Sequence, residues 1–361
     1  MKEIFKTSFR FTLLLISILV IHSCTKNKEP LLVVKPHSSI VLIGNNLGSR
    51  MLNFGTFETE MQLRYPTDSL VIRNMCDGGD TPGFRPHSGR VSPWAFPGAE
   101  KFQTELAQNS GSEGVFETPD EWLSRLQADI ILGFFGYNES FEGPQGLENY
   151  KEELDAFIKH SLKQKYNGTT PPQLIIVSPI AFEDLSDHID VPNGETANQN
   201  LKLYSEAMKE VCLANNIPFI NVFQASKNWY DTDNNDLTID GSQLNKEGYE
   251  KFAQFLADEL TGNKSIKSEG KRLAVNEAIK EKNFYWHNDY KIPNGVHVFG
   301  RRHAPYGPDN YPYEIKKTRE LTAIRDSMIW ATVQNQSYDV ASADALTSKL
   351  PPVQTNYNLG N

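Results

Sequence analysis

Cysteine is scarce in this chain, with three in 361 residues: Cys24, Cys76 and Cys212. So few cannot build a disulfide framework, and no CxxC, CxxCH or HExxH spacing offers a zinc or haem site. Asp231-x-Asp233-x-Asn235 starts like a calcium loop, but Asp236 stands where that loop needs Gly and Ser242 where it needs Glu. No metal and no cofactor is expected. Runs of Lys and Arg are lacking too: 36 Lys+Arg stand against 45 Asp+Glu, for a net charge of −9 and a pI near 5.5. Without a cationic face to follow a phosphate backbone, nucleic acid is not an expected partner. The apolar run at residues 11–21 (FTLLLISILVI) is too short for a permanent membrane span, which takes about 20 residues.

What is present is globular: 39% hydrophobic and 11% aromatic residues can fill a sizeable core. The length suggests one domain of roughly 200 residues plus a substantial appendage.

Lys2, Lys6 and Arg10 precede the apolar run and Cys24 follows it closely. That layout is an export signal, and its ending in a cysteine resembles a bacterial lipoprotein signal, although His22 departs from the usual small residue. The resemblance implies cleavage after residue 23 and a lipid on Cys24. The mature protein would then be anchored to a membrane of the cell envelope, periplasmic or surface. Removing residues 1–23 takes away three cationic residues and Glu3, moving the net charge from −9 to −11. Residues 24–37 read as a tether.

Short apolar runs at residues 40–43 (IVLI), 70–72 (LVI), 129–135 (DIILGFF), 174–177 (LIIV) and 218–222 (PFINV) suit strands buried on both faces of a parallel sheet. Helical spacing joins Leu147, Tyr150, Leu154, Phe157, Ile158 and Leu162, then Leu201, Tyr204, Met208, Val211 and Cys212, then Tyr249, Phe252, Phe255 and Leu256. Strands alternating with helices predict an α/β domain over residues 38–261. A Gly/Pro/Ser-rich stretch at 78–114 interrupts the rhythm. Residues 272–345 form a C-terminal extension with helices at 272–283 and 313–334. Between them, residues 284–312 are aromatic, basic and turn-rich, and residues 346–361 read as a loose tail.

Ligands of parallel sheets bind at the carboxyl ends of the strands. There the chain places Gly44-Asn45-Asn46, Asp77-Gly78-Gly79-Asp80, Gly136-Tyr137-Asn138 and the frame from Asp240 to Tyr249, DGSQLNKEGY. In this order the motifs resemble those of the SGNH/GDSL hydrolase family. The last frame matches the family's Asp-Gly-x-His-Leu-x-x-x-Gly-aromatic pattern, apart from its histidine. The resemblance covers residues 38–261 and implies a flavodoxin-like, three-layer parallel sheet. It also implies oxyanion donors at the Gly79 backbone N–H and the Asn138 side chain, and a triad acid at Asp240. Each residue has a structural reading as well, Gly79 as a turn glycine and Asn138 and Asp240 as helix caps.

Two positions depart from the family. Asn46 occupies the place of the nucleophilic serine and Gln243 that of the basic histidine. An amide neither attacks as an activated nucleophile nor accepts a proton near neutral pH. The expectation is therefore a binding protein for an ester-bearing or glycan ligand, lacking the standard Ser-His mechanism, with Trp94, Tyr137, Trp286 and Tyr306 as candidate sugar-stacking rings.

Two other readings stay open. One is an active carbohydrate or acyl esterase with a relocated nucleophile such as Ser49 or Ser242. His87, His287, His297 or His303 would be its base, or a carboxylate pair drawn from Asp77, Asp80, Glu139 and Asp240 would activate water. The other is a non-enzymatic scaffold using the extension. Cys76 and Cys212 could pair or remain buried thiols.

Overall fold

The computed structural model describes residues 29–354 except 86–92, 104–115, 233–234, 263, 265, 267–268 and 293–294. The expected leader, Cys24 and His87 lie outside the described residues. The elements in chain order are β1 Ser39–Gly44, α1 Asn46–Phe54, α2 Thr56–Arg64, β2 Val71–Asn74, α3 Pro119–Arg125, β3 Ile130–Phe134 and α4 Leu147–Lys163. There follow β4 Gln173–Val177, α5 Glu195–Ala214, β5 Phe219–Ile220, α6 Val222–Thr232 and α7 Lys246–Thr261. The extension supplies α8 Arg272–Tyr290, α9 Gly307–Gln334 and α10 Val340–Ala345. Among the described residues no helix is long and apolar enough to cross a membrane.

The five strands are all parallel, in the order β2-β1-β3-β4-β5. This is the flavodoxin-like order, and it makes the expected three-layer α/β fold. Side chains of a strand alternate between faces, and the core divides accordingly. Ile40, Leu42, Ile130, Leu132 and Phe134 pack on one side with Met51, Met61, Phe252 and Leu256 from α1, α2 and α7. Val41, Ile43, Ile131, Leu174 and Ile176 pack on the other with Trp122, Leu154, Phe157 and Met208 from α3, α4 and α5. Cys76 belongs to the first cluster and Cys212 to the second, and both are buried free thiols.

The turn-rich expectation for residues 284–312 holds only in part. Helix α8 continues through Tyr290 because Ile279, Asn283, Trp286 and Tyr290 lie on one helical face that becomes buried. Trp286 is thereby removed from the candidate stacking rings. It is 2% exposed, stacks on Tyr290 with ring centroids 5.6 Å apart, and donates from Nε1 to the Asn74 carbonyl at 2.7 Å.

That hydrogen bond is one of a row. Strand β2 is at the sheet edge, where carbonyls without a neighbouring strand need other donors. Trp330 Nε1 reaches the Leu70 carbonyl at 2.9 Å, Lys282 Nζ the Ile72 carbonyl at 3.1 Å, and Trp286 the Asn74 carbonyl. The spacing of two residues is the strand's own period, so α8 and α9 close the edge with side chains. Two ion pairs run through the same seam, Lys282–Glu58 at 2.7 Å and Arg73–Asp326 at 2.5 Å, with all four side chains buried.

Candidate functional site

The predicted site residues stand at the carboxyl end of the sheet. Gly44 ends β1 at φ +123°, and a Cβ there would collide with the Phe134 carbonyl, so only glycine lets β1 lie this close to β3 before the chain turns. Asn45 caps α1 by accepting from the Leu47 N–H at 3.2 Å, which makes Asn46 the first residue of the helix. The Asp240 turn is held from beneath by Glu183, a buried carboxylate that accepts from the Leu237 and Thr238 N–H groups and the Thr238 hydroxyl. Asn245 then caps α7 through the Gly248 N–H at 2.9 Å.

These frames bring Asn46, Gln243 and Asp240 into one chain. Asn46 Nδ2 donates to Gln243 Oε1 at 3.3 Å, and Gln243 Nε2 donates to Asp240 Oδ2 at 2.7 Å. Asp240 Oδ1 accepts from the Ser242 N–H (2.9 Å), the Ser242 hydroxyl (3.0 Å) and the Gln243 N–H (2.8 Å). Burial alone would raise the Asp240 carboxyl, but these donors outweigh it and hold the group below its ordinary range. The connectivity is that of a nucleophile, base and acid, with amides in the first two places. It moves no proton. The acceptor oxygen of Gln243 is occupied by an amide N–H, and the amide nitrogen of Asn46 is not nucleophilic.

Gly79 and Asn138 occupy a different cavity. Asn46, Gln243, Ser242, Arg50 and Tyr137 line a space of about 100 Å³. Gly79 and Asn138 line a neighbouring one of about 230 Å³, together with Glu139, Tyr150 and Glu153. Asn138 Nδ2 donates to the Asp80 carbonyl at 3.0 Å, which holds one amide N–H in the protein. An oxyanion hole needs its donors and the nucleophile to converge within about 3 Å of one reacting atom. Here the two halves line separate spaces.

Several candidate substitutes for the missing groups are engaged. Lys291 Nζ donates to Ser49 Oγ at 2.8 Å and pairs with Asp77 at 3.0 Å, pinning the end of α8 to both α1 and the Gly79 loop. Ser242 is spent on Asp240. Asp80 pairs with Arg85 at 3.2 Å. At His287, burial and the Lys291 charge lower the pKa, against a raising contribution from Asp77. His303 bonds the Val298 carbonyl in the extension. His297 lies in that segment too. Asp231 ends helix α6, and no three His, Cys, Asp or Glu side chains among the described residues are placed to hold a metal ion. Of the other aromatic candidates, Tyr137 meets Phe141 edge to face at 5.4 Å, and Phe141 is 74% exposed. Trp94 packs on Phe84, and Tyr306 is an exposed ring of the extension.

Sequence reasoning passed over Glu183, Lys291 and Glu153. For Glu153 a signal existed, since it falls on the apolar stripe of α4 between Tyr150 and Phe157, where a charge has no solvent. Glu183 and Lys291 had none, because their partners are more than fifty residues away.

No family model and no curated protein matches this chain. Solved structures similar to it include a GDSL-like lipase from Parabacteroides merdae, at 13% identity over 65% of this chain and 100% of that one, with a TM-score of 0.46. A gut microbial diltiazem-metabolizing enzyme aligns at 12% identity over 64% of this chain with a TM-score of 0.45, and the chain spans 48% of its length. An acetylxylan esterase from Geobacillus stearothermophilus aligns at 12% identity over 63% of this chain and 96% of that one, with a TM-score of 0.43. Likenesses this distant assign the chain neither a family nor an activity, and the functional argument rests on its own residues.

Proposed function

We propose that this chain is an exported, lipid-anchored binding protein whose SGNH-like site holds an ester-bearing or glycan ligand without hydrolysing it. The observation that carries the reading is the amide chain of Asn46, Gln243 and Asp240. It keeps a relay's connectivity while removing its nucleophile and base. Loss of such groups costs on the order of 10^6 in turnover. What remains suits a neutral polar ligand, since amides can donate to and accept from hydroxyl or carbonyl oxygens. The Tyr137–Phe141 pair beside the cavity offers aromatic surface. Export and anchoring rest on the basic start, the apolar run and Cys24.

The relocated-nucleophile reading is favoured by one contact, Ser49 Oγ at 2.8 Å from Lys291 Nζ, since Ser-Lys pairs can replace the triad. Yet Lys291 is ion-paired with Asp77, and an ammonium donates protons rather than accepting them. The two readings part cleanly in one experiment. Purified protein should bind acetylated xylan in calorimetry, release no acetate from it, leave aryl acetates intact and take no fluorophosphonate label. Labelling at Ser49 with turnover would establish the esterase; no binding to either acetylated or deacetylated polysaccharide would sink the binding protein.

A further inference from the structure

The second cavity has a chemistry that the amide relay does not explain. Glu139, Glu142 and Glu153 all line it, and among the described residues no Lys, Arg or His does. An acidic cluster alone is not a site, but two buried oxygens of residues that line this space, one on Glu139 and one on Tyr150, lack partners among the described residues. Glu139 uses only Oε2, which accepts from the Gly136 N–H at 2.9 Å, while its Oε1 is buried and unpartnered among the described residues. The Tyr150 hydroxyl is likewise buried and unpartnered. The two residues are 8% and 2% exposed. Buried polar atoms nearly always have a partner, and one without a partner is costly to the fold. Glu153, by contrast, is satisfied by the Thr81 hydroxyl at 2.6 Å and the Gly83 N–H at 2.8 Å.

From this we infer that the cavity binds a protonated primary amine carried on a small polar molecule, with Glu139 and the Tyr150 hydroxyl as its direct partners. An ammonium group supplies three donors and one positive charge, which answers two oxygens in a space bounded by carboxylates. The rings of Tyr150 and Tyr204, with centroids 5.1 Å apart, pack together beside the space. A bare metal ion fits less well, since no three ligating side chains converge among the described residues. At about 230 Å³ the space is smaller than the roughly 300–1,000 Å³ of drug-sized sites, which limits the occupant to one ring or a short chain. This charged subsite adjoins the ligand site proposed above and rests on that reading for its location only.

Binding has a proton signature. Burial, and next the Glu153 charge, push the Glu139 carboxyl up to about 8, with Glu142 adding to the rise. At neutral pH an arriving ammonium therefore displaces the carboxyl proton to the buffer, leaving carboxylate and ammonium paired.

Titration calorimetry with ethanolamine, D-glucosamine, D-glucose and N-acetyl-D-glucosamine tests the inference. The amines should bind at least tenfold tighter than the two neutral sugars. Ethanolamine at pH 7 should release close to one proton, read by comparing buffers of different ionisation enthalpy. Glu139→Gln should abolish that release, and both it and Tyr150→Phe should weaken amine binding tenfold or more. Equal affinity for glucose and glucosamine, no binding of either amine, or an unchanged amine affinity in both variants would overturn the subsite. Acetylated xylan binding without amine preference would overturn only the subsite. Amine binding without xylan binding would overturn only the polysaccharide reading.

Discussion

Two regions of this molecule treat charge in opposite ways. At the carboxyl end of the sheet, where an esterase would need a titrating base, the chain places neutral Asn46 and Gln243 beside Asp240. In the seam between β2 and the extension, where packing alone would serve, it buries Lys282 against Glu58 and Arg73 against Asp326. The relay retains its hydrogen-bond geometry without its chemistry. The seam buries charges whose desolvation is offset by paired side chains and backbone carbonyls. Lys282 meets both a carboxylate and a backbone carbonyl, while Arg73 meets a carboxylate through two nitrogens and lies 5.5 Å from the Trp286 ring centre. One region carries hydrogen-bond connectivity with amides in its first two places, and the other carries charge in a packed seam.

The seam makes the stronger demand. Lys282→Ala strands Glu58 in a dry pocket, and breaking a buried pair on one side costs about 3–5 kcal/mol. The urea midpoint should fall accordingly with little change in slope, and a cost below about 1 kcal/mol would show that the seam is hydrated.

The relay can be sharpened by restoring it. Asn46→Ser with Gln243→His rebuilds a hydroxyl, imidazole and carboxylate in the connected order. If connectivity is all that is missing, aryl-acetate hydrolysis should rise on the order of 10^2-fold or more over the natural chain, as general-base catalysis supplies. A flat rate would show instead that the separation of Gly79 and Asn138 from Asn46 disables the site independently.

The smallest effect, taken per pH unit, tests a third kind of charge, the buried Glu139. The folded protein holds its proton up to about pH 8, whereas the unfolded chain releases it near 4.5. The folded state thus binds more protons between these values. This contribution to stability is full below about pH 4.5 and declines as pH rises to about 8, by at most ~1.4 kcal/mol per unit. Urea midpoints at pH 5, 6.5 and 8 should trace the decline, and Glu139→Gln should flatten it; an identical slope in the variant would refute the assignment.

Much of the fold was legible because its strands are short apolar runs and its central helices carry one apolar stripe. Helices α1 and α2 were not. Helix α2 reads TFETEMQLR, and its Glu58, Glu60 and Arg64 look like a solvated face, yet all three are buried. Glu60 and Arg64 pair within the helix, but their further partners, Arg272 and Asp258, and Lys282 for Glu58, lie about two hundred residues on, so no local pattern announces the burial. Helix α8 was cut short for a related reason: its FYWHNDY segment has turn-prone polar residues, and its aromatic face is explained only by the sheet edge it covers. The site residues were legible individually through motif order. Their division between two cavities was not, because sequence order fixes the loops and leaves side-chain direction to packing.

The row of donors along β2 bears on any attempt to trim the protein. A chain ending before Arg272 would lose Trp286, Lys282 and Trp330 together, leaving the Asn74 carbonyl without its indole donor and the Leu70 and Ile72 carbonyls with the Gln62 and Arg73 donors alone. Such an edge is a template for a second molecule. The extension covers that edge, and a truncated protein that captures new partners would be reporting its own uncovered strand.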